Sequence, residues 1–368
     1  MLIVTGDYSG DIYASLLVKR LREISENLRI YGVGGQELSS SGVTFLENLV
    51  DHAVVGISES FRKILKLRDV LKRMKIFMEK EKPDALVLID YPGFNLRLAE
   101  EAKKREIDVF YYVGPQIWAW GYSRIKKLAR LIKRMLVILP FEEKIYKEAG
   151  IPVTFVGHPI LDILREKSYG GPLKGENPVI GLLPGSRPHE ISRHLPVMLK
   201  VAEGIQKEVP SSTFMLLAAP TIEDRYLNTF LEKQTLSVEV FRENGYQTRK
   251  KMMLSLVASG TATLENACLG IPMVIIYKTS LLTYCIGKLL VTVPAIGLPN
   301  LIAGEKIIPE FIQGHIKTGE ISRMIVSWLK NPERMNVIRE KLKSVREQLG
   351  APGASVRAAG IIWEEISP

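Results

Sequence analysis

Short apolar runs alternate along the chain with longer stretches in which apolar residues recur every three or four positions. That alternation is the signature of parallel strands covered by amphipathic helices, a doubly wound α/β arrangement. Leu2–Val4 predicts a first strand, the turn GDYSGD (6–11) leads into a helix over Ile12–Leu28, and Arg29–Val33 predicts a second strand ending at Gly34-Gly35. Asp84–Ile89, Asp108–Val113, Met135–Leu139 and Val153–Val156 continue the series into a domain that ends near Pro159. Residues 165–178 (REKSYGGPLKGENP) hold three Gly and two Pro and almost no apolar side chains, the composition of a linker. A second series follows at Val179–Leu183, Thr213–Ala218, Ser237–Phe241, Leu254–Ala258 and Met273–Tyr277. From Gly319 onward the pattern is helical and charged, broken at Gly350, Pro352 and Gly353 before a last short helix. Two such domains suggest a ligand site at the carboxyl ends of the strands.

Composition narrows the class. Hydrophobic residues make up 46% and charged residues 24%, which excludes a mostly disordered chain. The two cysteines, Cys268 and Cys285, exclude a disulfide framework or a Cys-rich zinc site and fit a reducing compartment. The start, MLIVTGDYSGD, lacks the basic flank and long apolar core of a signal peptide. The longest low-charge stretch, Thr279–Gly304, is interrupted by Gly287, Lys288, Pro294 and Gly297, and none of its apolar runs approaches the roughly 18 residues a membrane span needs.

The net charge of +10 favours an anionic partner: phosphates, nucleic acid or an acidic membrane face. Two stretches carry much of it. Phe61–Lys75 has seven Lys or Arg and one acid, with Phe61, Ile64, Leu65, Leu71 and Met74 near helical spacing, and Arg124–Arg134 has six Lys or Arg and no acid. They read either as solvated helix faces or as surfaces drawn to anionic headgroups, the apolar stripe dipping into the interface. Trp118 and Trp120 suit a packed core, a membrane interface or a sugar platform.

Four motifs carry candidate chemistry. In GLLPGSR (181–187) a strand runs into a turn ahead of a helix near His189–Val201, so Gly185, Ser186 and Arg187 either cradle a phosphate or form a tight turn with a solvated arginine. In ASGTATLE (258–265) the small residues Ser259, Gly260 and Thr261 could approach a diphosphate while Glu265 accepts from ribose hydroxyls; alternatively Thr261 and Glu265 approximate a capping box. In DYPGFN (90–95) Asp90 stands at a strand's carboxyl end, as a general base or as a cap for the next helix. The GDYSGD turn, with Ser9, Gly10 and Asp11, is open between capping and ligand contact. Neither it nor GVGG (32–35) has dinucleotide-fingerprint spacing. Metal chemistry has little support: His189 and His194 are five apart rather than four, and no Asp-x-Asp pair occurs.

Taken together, GDYSGD, GVGG, DYPGFNLRLA (90–99), YYVGPQIWAWGYSRIKK (111–127), LPFEEKIYKEAGIPVTFVGHP (139–159), LLPGSR, ASGTATLE and LPNLIAG (298–304) resemble the lipid-A-disaccharide synthases nearly end to end. The resemblance implies the GT-B fold: two Rossmann-like domains, 1–164 and 179–345, facing each other across a cleft, joined by the linker 165–178, with 346–368 crossing back to the first. It implies an inverting, metal-independent glycosyltransferase using no cofactor, with UDP-2,3-diacylglucosamine as donor and 2,3-diacylglucosamine 1-phosphate as acceptor. Asp90 matches the family's base. Gly185, Ser186, Arg187, Ser259, Gly260, Thr261, Glu265 and Asn300 match its UDP site, and Ser9, Gly10, Asp11 and Gln116 are candidate substrate contacts. Asp90 is the only acid in its turn, Gly93 standing where a second could, so no carboxylate pair sharing a proton is expected. The basic segment GYQTRKKMMLSLV (245–257) is assigned no role. The family also implies a homodimer, peripheral at the cytoplasmic face of the inner membrane. The rivals are another two-Rossmann UDP-sugar enzyme, such as the peptidoglycan N-acetylglucosaminyltransferase or a UDP-N-acetylglucosamine 2-epimerase, and a non-catalytic basic membrane-surface protein. A nucleic-acid binder is disfavoured by the lack of any recognition motif.

Overall fold

The computed structural model describes residues 1–50, 60–116, 125–166, 177–242, 246–281, 284 and 293–367, in two compact units, Met1–Ile163 with Leu349–Pro368, and Leu164–Gln348. The expected linker 165–178 falls largely outside the described residues, as do Trp118 and Trp120.

In the first unit the strands are β1 (Leu2–Thr5), β2 (Tyr31–Gly34), β3 (Thr44–Asn48), β4 (Ala85–Ile89), β5 (Asp108–Tyr112), β6 (Arg134–Val137) and β7 (Val153–Phe155). Its helices are α1 (Tyr8–Ile24), α2 (Gln36–Ser39), α3 (Ser60–Glu81), α4 (Pro92–Lys103), α5 (Ile125–Leu131), α6 (Pro140–Glu148) and α7 (Ile160–Glu166), which runs across the unit boundary. In the second unit β8 (Val179–Leu183), α8 (Pro188–Glu208), β9 (Thr213–Ala218), α9 (Asp224–Leu231), β10 (Val238–Arg242), β11 (Leu254–Ala258), α10 (Thr261–Cys268), β12 (Met273–Tyr277) and β13 (Glu310–Ile312) follow in that order.

Every strand pair is parallel. Central strands are buried on both faces by helices, which is why LIVT, ALVLI and LSLVA appear as unbroken runs with little polar content. The sheet orders are β3-β2-β1-β4-β5-β6-β7 and β10-β9-β8-β11-β12-β13. In each, the chain leaves the middle strand to one side, then returns to build the other. The reversal lies between β1 and β4 in one unit and between β8 and β11 in the other, and at such a switch point the diverging loops open a crevice for ligands. The edge strands β3 (TFLEN) and β13 (EFI) escaped the sequence pattern, whereas the edges β7 and β10 were predicted.

The C-terminal helix Ala354–Ile366 returns to the first unit and packs its buried Ala354, Ala358, Ala359 and Ile362 against α1, whose inner face presents Ala14, Leu17, Val18 and Leu21. Asp162 fastens its start. One carboxylate accepts the backbone N–H groups of Gly353 at 2.5 Å, Ala354 at 3.2 Å and Ser355 at 2.9 Å, serving the donors that a helix start leaves unsatisfied. Arg357 adds bonds to the carbonyls of Val156, Ala351 and Pro352.

His158 lies in the same seam, 2% exposed, with Nδ1 accepting from the Ile160 amide and its own N–H donating to Leu349 O. Burial holds its pKa down to about 3, against the pull of Asp162. A histidine that stays neutral when folded yet titrates near 6.5 when unfolded takes up its proton preferentially in the unfolded chain. Stability is therefore lost as pH falls from about 6.5 toward 3, by at most about 1.4 kcal/mol per pH unit. Denaturant midpoints of wild type and His158→Gln, measured across that window, should show a shallower acid decline in the variant. Parallel declines would remove His158 as the cause.

Candidate active site

In the first unit the turns after β1 and β4 interlock. Asp90 and Tyr91 both adopt left-handed backbone conformations (φ 44° and 45°), each costing on the order of 1 kcal/mol or more for a non-glycine residue. The surroundings hold the strain: Asn95 Nδ2 donates to the carbonyls of Ile89 at 3.1 Å and Asp90 at 2.8 Å, and the Tyr111 hydroxyl donates to Asp90 O at 2.5 Å. The Tyr91 ring packs directly over Gly6, where a Cβ would stand 2.3 Å from it, so only glycine permits this approach. α4 begins at Pro92 with Tyr91 as its N-cap and no side-chain cap bond, so Asp90 does not cap the helix.

The Asp90 carboxyl instead feels the charge of Asp7, which caps α1 through the Gly10 amide at 2.7 Å. Withdrawal from water, then the charge of Asp7, raise the Asp90 pKa to about 8, with Glu142 adding a smaller push and the Tyr91 amide a counter-pull. A neighbouring negative charge disfavours ionisation, so Asp90 keeps its proton to higher pH than an isolated carboxyl. The acidic neighbour of Asp90 thus comes from the turn of the neighbouring strand, not from its own.

Other candidates in this unit have structural duties. Asp11 is 1% exposed, with Oδ1 accepting from Gly35 at 2.7 Å and Leu38 at 3.3 Å and Oδ2 from Glu37 at 2.8 Å, so it anchors the start of α2 rather than facing a substrate. Gly10 is buried, and a Cβ there would meet Thr5 Oγ1 at 2.3 Å. Ser9 is half-buried in the first turn of α1, and Gln116 is exposed beyond β5.

In the second unit, strands β8 and β11 pair side by side, which brings the PGSR and SGT turns to neighbouring strand ends. Arg187 is the N-cap of α8, half exposed, and the amides of Ser186 (2.9 Å) and Arg187 (3.2 Å) both donate to Glu190 Oε2. A carboxylate on those two amides marks them as an anion cradle at the start of a 21-residue helix. Gly185, at φ 117°, makes room for it. His194 ties the cradle to β12, its Nδ1 bonded to Pro184 O and its Nε2 accepting the Lys278 amide, so this ring is not available as a metal ligand. Among the described residues, no group of three or more His, Cys, Asp or Glu is arranged to hold a metal.

Gly260 (φ 152°) is the N-cap of α10 and Thr261 its first residue, with no side-chain cap bond, so the capping-box alternative for Thr261 and Glu265 does not hold. Ser259 Oγ donates to Ile296 O at 2.8 Å, anchoring a loop. Glu265 accepts from the Tyr246 hydroxyl at 3.0 Å and pairs with Arg249 Nη2 at 2.6 Å. Asn300, the last of the expected UDP contacts, lies in the same unit. It is 2% exposed, with Nδ2 donating to Ile308 O and Glu310 Oε1 and Oδ1 accepting the Ile308 amide. Glu310 in turn receives the Ile296 and Gly297 amides, so Asn300 acts on the loop that Ser259 touches.

Compared with known families, residues 1–362 match the model described as Lipid-A-disaccharide synthetase. The chain belongs to the lipid-A-disaccharide synthase family. Lipid-A-disaccharide synthase of Syntrophus aciditrophicus (strain SB) is 41% identical over 98% of this chain and 96% of its own, and that of Geobacter metallireducens is 40% identical over 100% and 97%. Among solved structures, UDP-GlcNAc 2-epimerase from Neisseria meningitidis bound to UDP-GlcNAc superposes with TM-score 0.69 at 13% identity over 99% of each chain. MurG from Acinetobacter baumannii does so with TM-score 0.58 at 13% identity, over 99% of this chain and 98% of its own. At that identity both show the fold alone, two parallel-sheet α/β domains of the GT-B type. The rival enzymes thus share the synthase architecture, while family membership separates this chain from them. As a member of the synthase family it is a glycosyltransferase of lipid A disaccharide formation.

Sequence reasoning missed three side chains that stand beside the candidate residues: Asp7 near Asp90, Glu190 on the amides of Ser186 and Arg187, and Arg249 behind Glu265. Glu190, three residues past Arg187 and just inside a helix, carried a readable capping signal. Arg249 did not, since one buried arginine in an RKK run looks like any solvated basic turn.

Proposed function

We propose that the chain transfers 2,3-diacylglucosamine from UDP-2,3-diacylglucosamine to the 6-hydroxyl of 2,3-diacylglucosamine 1-phosphate, releasing UDP and the β-1,6-linked disaccharide 1-phosphate. The observation that carries this reading is a carboxyl at the end of β4, held in a strained turn and ionising near working pH. In a single displacement with inversion, the ionised Asp90 takes the proton of the acceptor hydroxyl as its oxygen attacks the donor's anomeric carbon. The bond from that carbon to the UDP oxygen breaks. The charge that develops on departing UDP is met by Arg187, joined by the amides of Ser186 and Arg187 once Glu190 gives them up. With that charge carried by Arg187 and the amides, no metal is required.

The test is UDP release from the donor in EDTA-containing detergent buffer, with and without acceptor, and mass spectrometry of the product. Release that depends on acceptor, with a disaccharide 1-phosphate formed, is expected. Release only after a divalent ion is restored would defeat the metal-free mechanism, and none with UDP still bound would point to a different acceptor.

We also propose a peripheral seat on the anionic cytoplasmic face of the inner membrane, as a homodimer. Lys66, Arg68, Lys72 and Arg73 are exposed on α3, and Lys126, Lys127 and Arg130 line a groove of about 480 Å³ with Glu100 and Leu131. Of the expected apolar stripe, Met74 is buried, Leu71 half-buried and Leu65 exposed, while the side chains of Phe61 and Ile64 lie outside the described residues. Attachment then rests on charge, and binding to phosphatidylglycerol vesicles should fall steadily as salt rises. Salt-insensitive binding would shift the attachment to apolar insertion.

A further inference from the structure

Glu265 is held from behind by two side chains the sequence left without a role. Arg249 is 4% exposed and its Nη2 meets one carboxylate oxygen at 2.6 Å, while the Tyr246 hydroxyl meets the other at 3.0 Å. The guanidinium is fixed in place: Nη1 donates to Asn266 Oδ1 at 2.9 Å, Asn266 Nδ2 donates to Ser255 Oγ at 2.9 Å, and the cation lies 5.2 Å from the Tyr246 ring centre. A buried ion pair of this kind gains little net stability, since the desolvation of both charges offsets their attraction. Its value lies in where it leaves the carboxylate.

Each carboxylate oxygen accepts in about two directions. With one direction on each oxygen taken by these donors, one remains on each, and 15% of the Glu265 side chain is open to solvent. Two adjacent acceptors on one rigid plane match two adjacent hydroxyl donors. We propose that Arg249, with Tyr246, is a positioning residue that presents Glu265 as a two-point acceptor for the vicinal 2′- and 3′-hydroxyls of the donor ribose, and so makes the site select ribonucleoside over 2′-deoxyribonucleoside diphosphates. This rests on the proposed UDP-sugar donor and adds to it the residue that sets sugar selectivity. Helix α10, which carries Glu265, starts at the SGT turn beside the anion cradle, so diphosphate and ribose are read by adjoining strand ends.

The experiment is calorimetric titration of UDP and 2′-deoxy-UDP into the full chain, as wild type, Arg249→Met, Arg249→Lys and Tyr246→Phe. Wild type should prefer UDP by about tenfold or more, the size expected for a hydrogen bond to a charged acceptor. Arg249→Met should bring the two affinities within about twofold by weakening UDP selectively, Tyr246→Phe should lower the preference part-way, and Arg249→Lys should restore some of it. A merely structural role would weaken both nucleotides together and leave their ratio unchanged, which would overturn the proposal. So would a wild type that binds both equally. Wild type that binds neither nucleotide would instead bring down the donor reading, and this inference with it. If Arg249→Met does not fold, the Lys and Phe variants, which keep the charge and the ring, decide by the same ratio.

Discussion

Asp90→Asn should lower turnover by about 10²-fold or more, the range of a lost general base, while UDP binds as before. The wild-type pH profile of kcat/KM should rise toward a plateau above about 8, because the carboxyl must be ionised to accept the acceptor's proton and its pKa lies near there. Asp7→Asn removes the like charge that lifts Asp90, so the rising limb should move to lower pH, even if the maximal rate suffers. The same shift has an opposite signature in stability. A carboxyl ionising near 8 when folded and near 3.8 when unfolded keeps its proton preferentially in the native state, so stability falls as pH rises between those values. Asp90→Asn should therefore lose activity and yet unfold at a higher temperature than wild type at pH 8. A near-normal rate in Asp90→Asn, or a profile unmoved by Asp7→Asn, would remove the pair from the mechanism.

The second large effect lies in the other unit. Arg187→Ala should weaken UDP binding by about tenfold, the lower end for a charge-assisted bond, because this guanidinium is half exposed and partly screened. Arg187→Lys should recover part of the loss as a point charge without the bidentate fork. Calorimetry with UDP measures both, and an unchanged dissociation constant in Arg187→Ala would take this side chain out of the phosphate site. The backbone cradle would then carry the anion alone, through the Ser186 and Arg187 amides that now serve Glu190.

What could be read from the sequence follows from what is locally encoded. The buried strands β1, β4, β8 and β11 announce themselves because helices cover both faces and leave few polar positions. β3 and β13 do not, although the equally short edges β7 and β10 were predicted, so edge position alone does not hide a strand. The site divides the same way. Asp90 and Arg187 were legible because they stand where a strand passes into a helix. The effect of Asp7 on Asp90 was not, since Asp7 is remote in sequence and comes near it through the pairing of β1 with β4. Asp11 and Asn300 show the converse. Both sit in recognisable motifs, yet their polar atoms serve backbone groups of their own unit, a use that no spacing reveals.

The return of the C-terminal helix to α1 also sets an order of assembly. A ribosome delivers residues 1–163 first, but the apolar face of Ala14, Leu17, Val18 and Leu21 waits for residues 349–367, which emerge only after all of the second unit. The unit begun first is thus finished last. Through that interval the nascent chain carries an uncovered hydrophobic surface, a natural client for a chaperone, and a chain cut short before residue 349 would keep that surface for good.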